Sequence, residues 1–518
     1  MSEKNRKNWR NLISRLEIYL PQFFWFSVVI FLSLKTLFNP MEAEADAFSR
    51  SSSSFDKFNS GIWTKVFLNS IWLPGYFGIM GLVQLFFDQT SLTLRSATLF
   101  FHAIAVFPLW KISVWLGQRL NASWLYPWIV LAIFAFSPLR LVFATVTLAE
   151  PIFLTLILLS FATWLPSENQ TQSQRFWAGV WSLFWLAIAQ SLRFEAWYIV
   201  PFWWWAIWFE PLLKKSQKIL LVSLSVTYPA IALFNQFKKS GAIFEFGNTQ
   251  IMQANVGQPV PNHYYRLIPS IWWVMQPAIQ AFSLSGMSLG IFGSISAWNQ
   301  IWAKKPKKQT AYDWAIFWTL WLIPTGLILM LIFQVFAGLM AGIYFRYLLS
   351  SFVLGLPWIV WGGFKLSNWL KANWWPDFLP GILIIIGIIL TEFLISFQQQ
   401  NLLLNSHLVS QDYAEIKIMS QNLVRQLPMK PIANPGDQAK IAQFVPKVWL
   451  FGTRDSAFAY LTGLTYLMSQ PYFSNFDPKL LAHHDWAIIS KSTQPNNLLL
   501  NQVRIEFETT NFILVRKP

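Results

Sequence analysis

The stretch "WLYPWIVLAIFAFSPLRLVFATVTLAEPIFLTLILLSFATWL" (124–165) decides the architecture. It is nearly continuous apolar sequence of 42 residues, roughly 63 Å long if helical. One bilayer crossing uses only about 30 Å, so the chain folds back on itself, and "SPLR" (137–140) is the natural turn. Residues 176–209 pose the same problem at roughly 51 Å. Their polar interruption is "QSLRFE" (190–195). Arg193 and Glu195 left in mid-membrane would cost about 2.5 kcal/mol or more each, and a hairpin that lifts them to the surface avoids that cost. Two stretches thus give four crossings, and the chain reads as a polytopic helical membrane protein.

Composition agrees. The 518 residues are 54% hydrophobic, 18% aromatic and 12% charged, against roughly 25% charged in soluble domains. The 31 Trp residues, with "WWW" at 203–205, suit rings that prefer the lipid–water interface. A net charge of +16 raises the question of nucleic acid, but the positions of the basic residues exclude it. They gather between apolar runs as "KNRKNWR" (4–10), "KKSQK" (214–218), "KKPKK" (304–308), and Lys365 with Lys371. That is the positive-inside pattern of cytoplasmic loops. There are no cysteines, so disulfides and thiol chemistry are excluded. The basic start lacks a small-residue cleavage site and is expected to stay as a signal anchor.

About eleven spans are expected, near 18–38, 95–116, 124–138, 141–165, 176–192, 194–210, 218–238, 267–297, 313–337, 343–364 and 376–397. With the N-terminus inside, this count puts every basic cluster in the cytoplasm. It puts the first loop (39–94), the two hairpin turns, the 239–266 loop and the tail outside. The apolar run "IWLPGYFGIMGLVQLFF" (71–87) would reverse that parity if it crossed. Its Pro and Gly residues weaken it as a spanning helix, so it is expected to be interfacial or re-entrant on the outer face. Residues 1–399 form the transmembrane domain and 400–518 a small extracytoplasmic α/β domain. In the latter "KVWLFG" (447–452) and "WAIIS" (486–490) read as strands, "DSAFAYLTGL" (455–464) as a helix, and "VRIEF…NFILVR" (503–516) as a closing hairpin.

Charges collect on the outer rim of this topology. "MEAEADAFSR" (41–50) brings together Glu42, Glu44 and Asp46, which lie on one side whether extended or helical. A solvated loop would explain them alone. Lys57 follows, and Glu150, Arg193, Glu195, His263, Arg266 and Arg346 fall on the same rim. Each could belong to a structural pair such as Glu150 with Arg193, but rim charges in such number commonly line a polar cavity. The three carboxylates could also suit a hard divalent cation. "HH" (483–484) reads as surface polarity rather than metal ligands.

In order along the chain, "EAEAD" (42–46), "WLPGYFGIMGL" (72–82), "LAEPIFLTLILLS" (148–160), "SLRFEAW" (191–197) and "YFRYLLSSFVLGLP" (344–357) resemble the GT-C class of polytopic glycosyltransferases. The nearest pattern is that of the bacterial protein-mannosyltransferase and aminoarabinose-transferase-like members. The resemblance implies an inverting hexosyl- or pentosyltransferase at the outer face of the cell envelope membrane. Its donor would be a polyprenyl-phosphate-linked sugar and its acceptor a lipid, glycan or protein. A first-loop carboxylate, Asp46 or Glu44, would be the general base, with Asp46 favoured by the downstream order. Donor phosphate and substrate would be bound by Arg346, Arg193, Arg266, Lys57, Glu150, Glu195 and His263. Neither cofactor nor metal is expected. The acids are spaced E-A-E-A-D rather than as an adjacent pair, which leaves the choice of base open. The alternative is a transporter or lipid flippase, against which stands the absence of internal repeats.

Overall fold

The computed structural model describes residues 3–38, 50, 54, 57–64, 73–87, 91–166, 170–240, 266–282, 284–302, 308–337, 345–373, 448–451, 486–491, 500–509 and 512–517, together with 387, 415, 418, 419 and 422. Fourteen helices of six residues or more are described. They are α1 (Glu3–Phe38), α2 (Gly75–Phe86), α3 (Ser91–Ile104), α4 (Val106–Arg119), α5 (Tyr126–Phe136), α6 (Pro138–Phe143) and α7 (Ala149–Trp164). Then follow α8 (Gln172–Leu192), α9 (Glu195–Trp208), α10 (Lys215–Ser240), α11 (Leu267–Phe282), α12 (Leu284–Trp302), α13 (Lys308–Phe336) and α14 (Phe345–Asn373).

Four described segments are long and apolar enough to cross a membrane: Leu92–Arg119, Lys215–Asn235, Ala315–Phe336 and Tyr347–Trp369. Shorter apolar helices accompany them, among them α5, α7 and α2. The expected spans from 18 to 364 coincide with described helices, with differences noted below. The expected span 376–397 and the helix 455–464 lie outside the described residues.

The opening stretch does fold back, through a longer connection than four residues. Ser137 turns the chain out of α5 with extended backbone, and Pro138 starts the six-residue α6. Leu148 then sets an extended entry to α7. Three short helices therefore replace one 42-residue apolar rod. The span read at 267–297 is described as α11 and α12, on either side of residue 283.

The core is apolar and centred on α14, whose segment Tyr347–Trp369 is 89% buried, whereas Lys215–Asn235 of α10 is 17% buried. Helix α14 is thus the central post and α10 a peripheral, lipid-facing helix. Glycine makes one contact of the post possible. A Cβ on Gly362 would lie 2.0 Å from the Leu289 carbonyl oxygen, and one on Gly293 2.1 Å from that of Trp358. Helices α12 and α14 therefore cross backbone to backbone, as small residues allow in membranes.

Near the C-terminus four strands form one sheet in the order β1-β2-β4-β3: β1 (Val448–Phe451), β2 (Trp486–Ser490), β3 (Arg504–Glu508) and β4 (Phe512–Arg516). β1 and β2 are parallel, and β4 pairs antiparallel with β2 and β3. The strands and hairpin expected from sequence are in place, with Ala487, Ile489, Val503, Ile513 and Val515 as their apolar core.

Candidate functional site

Three helix ends converge where α7 starts, α8 stops and α9 starts. Helix α8 is opened at its far end by a capping box, in which Thr171 Oγ1 accepts from the Gln174 amide (3.3 Å) and the Thr171 amide donates to Gln174 Oε1 (2.9 Å). It closes at Arg193, whose extended backbone ends the helix. Two residues later Glu195 begins α9, and Glu150 lies in the first turn of α7. Carboxylates at two helix N-termini and a guanidinium at a C-terminus each match the local helix dipole.

These charges bond to one another. Arg193 Nη1 donates to Glu150 Oε1, and Arg193 Nη2 donates to Glu195 Oε1. The side chains are largely sequestered, at 11% exposure for Arg193, 3% for Glu150 and 14% for Glu195. Burial opposes the charge on Arg193, but Glu150 and Glu195 more than offset it, and the arginine pKa is raised. The Tyr347 ring, in the first turn of α14, lies 5.1 Å from the guanidinium carbon, a cation–π distance.

The cluster faces a small cavity of about 10 Å³, roughly the room of one water, lined by Glu150, Arg193, Glu195, Tyr347 and Ser350, with Phe153, Leu327, Met330 and Leu331 as its apolar side. Leu327 and Met330 also line a second, apolar pocket of about 370 Å³ between α9 and α13, with Tyr198, Phe202, Gly326 and Phe333. A charged compartment and an apolar one thus share a wall.

Helix α2 covers the same end. A Cβ on Gly75 would sit 2.1 Å from Ser191 Oγ and 2.7 Å from its carbonyl oxygen, so only glycine lets α2 start against the end of α8. Tyr76 Oη donates to the Thr147 carbonyl (3.1 Å), just before α7. At 12 residues α2 is about 18 Å long. On its surface Lys57 Nζ lies 4.0 Å from the Phe77 ring centre and the buried Arg50 guanidinium 5.6 Å from that of Tyr76.

Of the residues singled out by sequence, Glu150, Arg193 and Glu195 are therefore brought into direct contact. Lys57 reaches the covering helix. The backbone of Arg346 is in the first turn of α14, next to Tyr347. Arg266 is exposed immediately before α11, where its carbonyl accepts from the Ser270 amide (3.0 Å), and does not line the pocket. Glu44, Asp46 and His263 lie outside the described residues. Among the described residues no group of three or more His, Asp or Glu could hold a metal ion.

Sequence reasoning missed Tyr347, Tyr76 and the buried cations around the first hairpin. Arg140, read only as part of the "SPLR" turn, is fully buried and donates to Ser33 Oγ (3.1 Å). His102, also fully buried, stacks on Phe134 (5.4 Å), whose ring lies 5.9 Å from the Arg140 guanidinium. Arg95 donates to the carbonyls of Thr145 (3.3 Å) and Thr36. Tyr347 had a signal, its place beside Arg346 in "YFRYLL" (344–349); the buried cations had none.

This architecture has solved counterparts. The crystal structure of ArnT from Cupriavidus metallidurans in the apo state superposes with a TM-score of 0.58 at 10% identity, covering 95% of this chain and 98% of that one. The same protein bound to undecaprenyl phosphate gives 0.55 at 10% identity over the same shares. The fold is that of the GT-C glycosyltransferases. The archaeal oligosaccharyltransferase AglB from Archaeoglobus fulgidus, solved with an inhibitory peptide and a dolichol-phosphate, aligns at a TM-score of 0.47 and 11% identity, over 92% of this chain and 70% of that one. No protein-family model matches the sequence, and no curated protein sequence matches it. With the fold and the four long apolar segments together, the chain is a multi-pass membrane protein.

Proposed function

We propose that this protein is a membrane glycosyltransferase that moves a sugar from a polyprenyl-phosphate-linked donor to a lipid, glycan or protein acceptor, at the membrane face where α7 begins. One observation carries the reading: the Arg193, Glu150 and Glu195 cluster walls a polar pocket that shares Leu327 and Met330 with an apolar one. A lipid-linked sugar has this two-part chemistry. Its hydroxyl groups need fixed acceptors and donors, which the carboxylates and guanidinium offer, and its prenyl chain needs apolar surface. The ArnT fold, solved elsewhere with undecaprenyl phosphate, supports it.

In this reading a first-loop carboxylate, Asp46 or Glu44, acts as general base. It takes the proton from an acceptor hydroxyl or amine as that atom bonds to the anomeric carbon. The bond from that carbon to the phosphate oxygen breaks with inversion, and polyprenyl phosphate leaves with the electron pair. The charge that grows on the leaving phosphate calls for cations. Arg193 is already engaged by two carboxylates, so we assign it to shaping the sugar pocket. The phosphate then falls to Arg346, Lys57 and Arg266, with Glu150 and Glu195 on the sugar side and His263 at the rim. No metal or cofactor takes part in this scheme.

The test is sugar transfer measured with the purified chain in lipid, following release of polyprenyl phosphate. Asp46→Asn or Glu44→Gln is expected to abolish transfer while the protein stays folded. Full activity in both variants would overturn the assignment of the base. Substrate flux without transfer in proteoliposomes would overturn the enzyme.

A further inference from the structure

At the opposite end of α14 a second groove is independent of the glycosyl-transfer site. Lys365 lies eighteen residues beyond Tyr347, about 27 Å along the helix. With Phe292, Ile295, Ser296, Asn299 and Gln300 of α12 it lines an open groove of about 540 Å³. The lining is graded along α12: Phe292 and Ile295, both exposed apolar side chains, lie toward the middle of the helix, and Asn299 and Gln300 toward its end.

Two polar groups of this groove lack a partner. Among the described residues Lys365 has no carboxylate to pair with; its ammonium lies 4.7 Å from the Trp361 ring centre. Gln300 donates its side-chain amide to the Leu120 carbonyl (2.7 Å), while its Oε1 is buried and has no hydrogen-bond donor. A buried acceptor left unmade is costly, so this one calls for a donor. Arg119 ends α4 next to Leu120, whose carbonyl holds the Gln300 amide. By the positive-inside rule this is the cytoplasmic end, where the leaflet carries anionic lipid.

We propose that the α12–α14 groove is a binding site for an anionic glycerophospholipid with a hydroxylated head group, from the cytoplasmic leaflet. Its acyl chain lies along Phe292 and Ile295, its phosphate pairs with Lys365, and a head-group hydroxyl donates to Gln300 Oε1. Neutral and zwitterionic lipids satisfy only part of this set.

The probe is phosphatidylglycerol, titrated onto the full-length delipidated protein and read by native mass spectrometry. Phosphatidylcholine and soluble glycerol phosphate serve as parallel arms. One phosphatidylglycerol is expected to stay bound at collision energies that strip phosphatidylcholine. Lys365→Met, which keeps an apolar stem on Trp361, is expected to weaken that binding roughly fivefold, the effect of one basic residue at a membrane surface. Ile295→Asn is expected to weaken both lipids without changing sugar transfer. Equal retention by wild type and Lys365→Met overturns the proposal, and so does equal binding of phosphatidylcholine. If glycerol phosphate competes as well as the lipid, the groove takes a soluble anion and the lipid assignment falls.

Discussion

Helices α7, α8 and α9 carry an arginine cluster at each end, and the two are built differently. At one end Arg193 is held by two carboxylates, Glu150 and Glu195, keeps 11% exposure, and faces a pocket. At the other, Arg175 meets a single carboxylate, Glu210, with both side chains at 1% exposure. The Trp164 ring lies 4.1 Å from the Arg175 guanidinium carbon. The Arg175 cluster is sealed, as expected of a strut. The Arg193 cluster is open to its cavity. Buried ions of the same kinds, about 27 Å apart along one helix, thus differ in access, and that property separates function from scaffold.

Four measurements break or sharpen that contrast. Arg193→Ala removes the guanidinium that bonds both Glu150 and Glu195. Transfer is expected to fall by about three orders of magnitude, or ~4 kcal/mol of transition-state stabilisation, in an assay of kcat/KM. Arg175→Met strands Glu210 in the core and is expected to destabilise the fold by about 3 kcal/mol, read from thermal unfolding in detergent. Adding Glu210→Leu should recover most of that loss, and kcat of the surviving protein should not move. If Arg175→Met reduced kcat while leaving stability intact, the division between strut and site would be wrong.

The smaller effects probe how the open cluster is framed. Gly75→Ala drives a methyl group into Ser191 and is expected to cost about 2 kcal/mol as α2 shifts. Activity should fall with it, because α2 covers the pocket. Tyr347→Leu removes the ring beside Arg193 and is expected to reduce kcat/KM by about 1 kcal/mol, or fivefold. Tyr347→Phe keeps the ring and should stay near wild type. A loss in the Phe variant equal to that in Leu would assign the role to the hydroxyl instead.

The fold was legible wherever length and polarity left a single solution. Apolar stretches of 42 and 34 residues cannot each be one crossing, and both fold back where a charged or Pro-containing turn interrupts them. Strands β1, β2 and β4 were legible as short apolar runs rich in β-branched and aromatic residues, and β3, "RIEFE", as the alternating partner of β4 in a closing hairpin. At the site, Glu150, Arg193 and Glu195 were named and their pairing raised as a structural possibility; the structure makes the pair and adds the pocket beside it. Arg140 misled the reading because the sequence sets it in a turn, while the fold covers that turn with α1 through Ser33.

By itself the sequence determined that this is a polytopic membrane protein whose charges collect at helix ends. The hydrocarbon interior penalises a mid-span charge by kilocalories, so hydropathy and charge position suffice for that conclusion. Only the tertiary structure decided which charges share a cavity. Glu150 and Arg193 are 43 residues apart, and Tyr347 is 154 residues beyond Arg193. Their meeting depends on close contacts such as Gly75 against Ser191 and Gly362 against Leu289. Such contacts come from shape-specific packing, in which any apolar residue satisfies the membrane but only particular shapes bring one helix end to another.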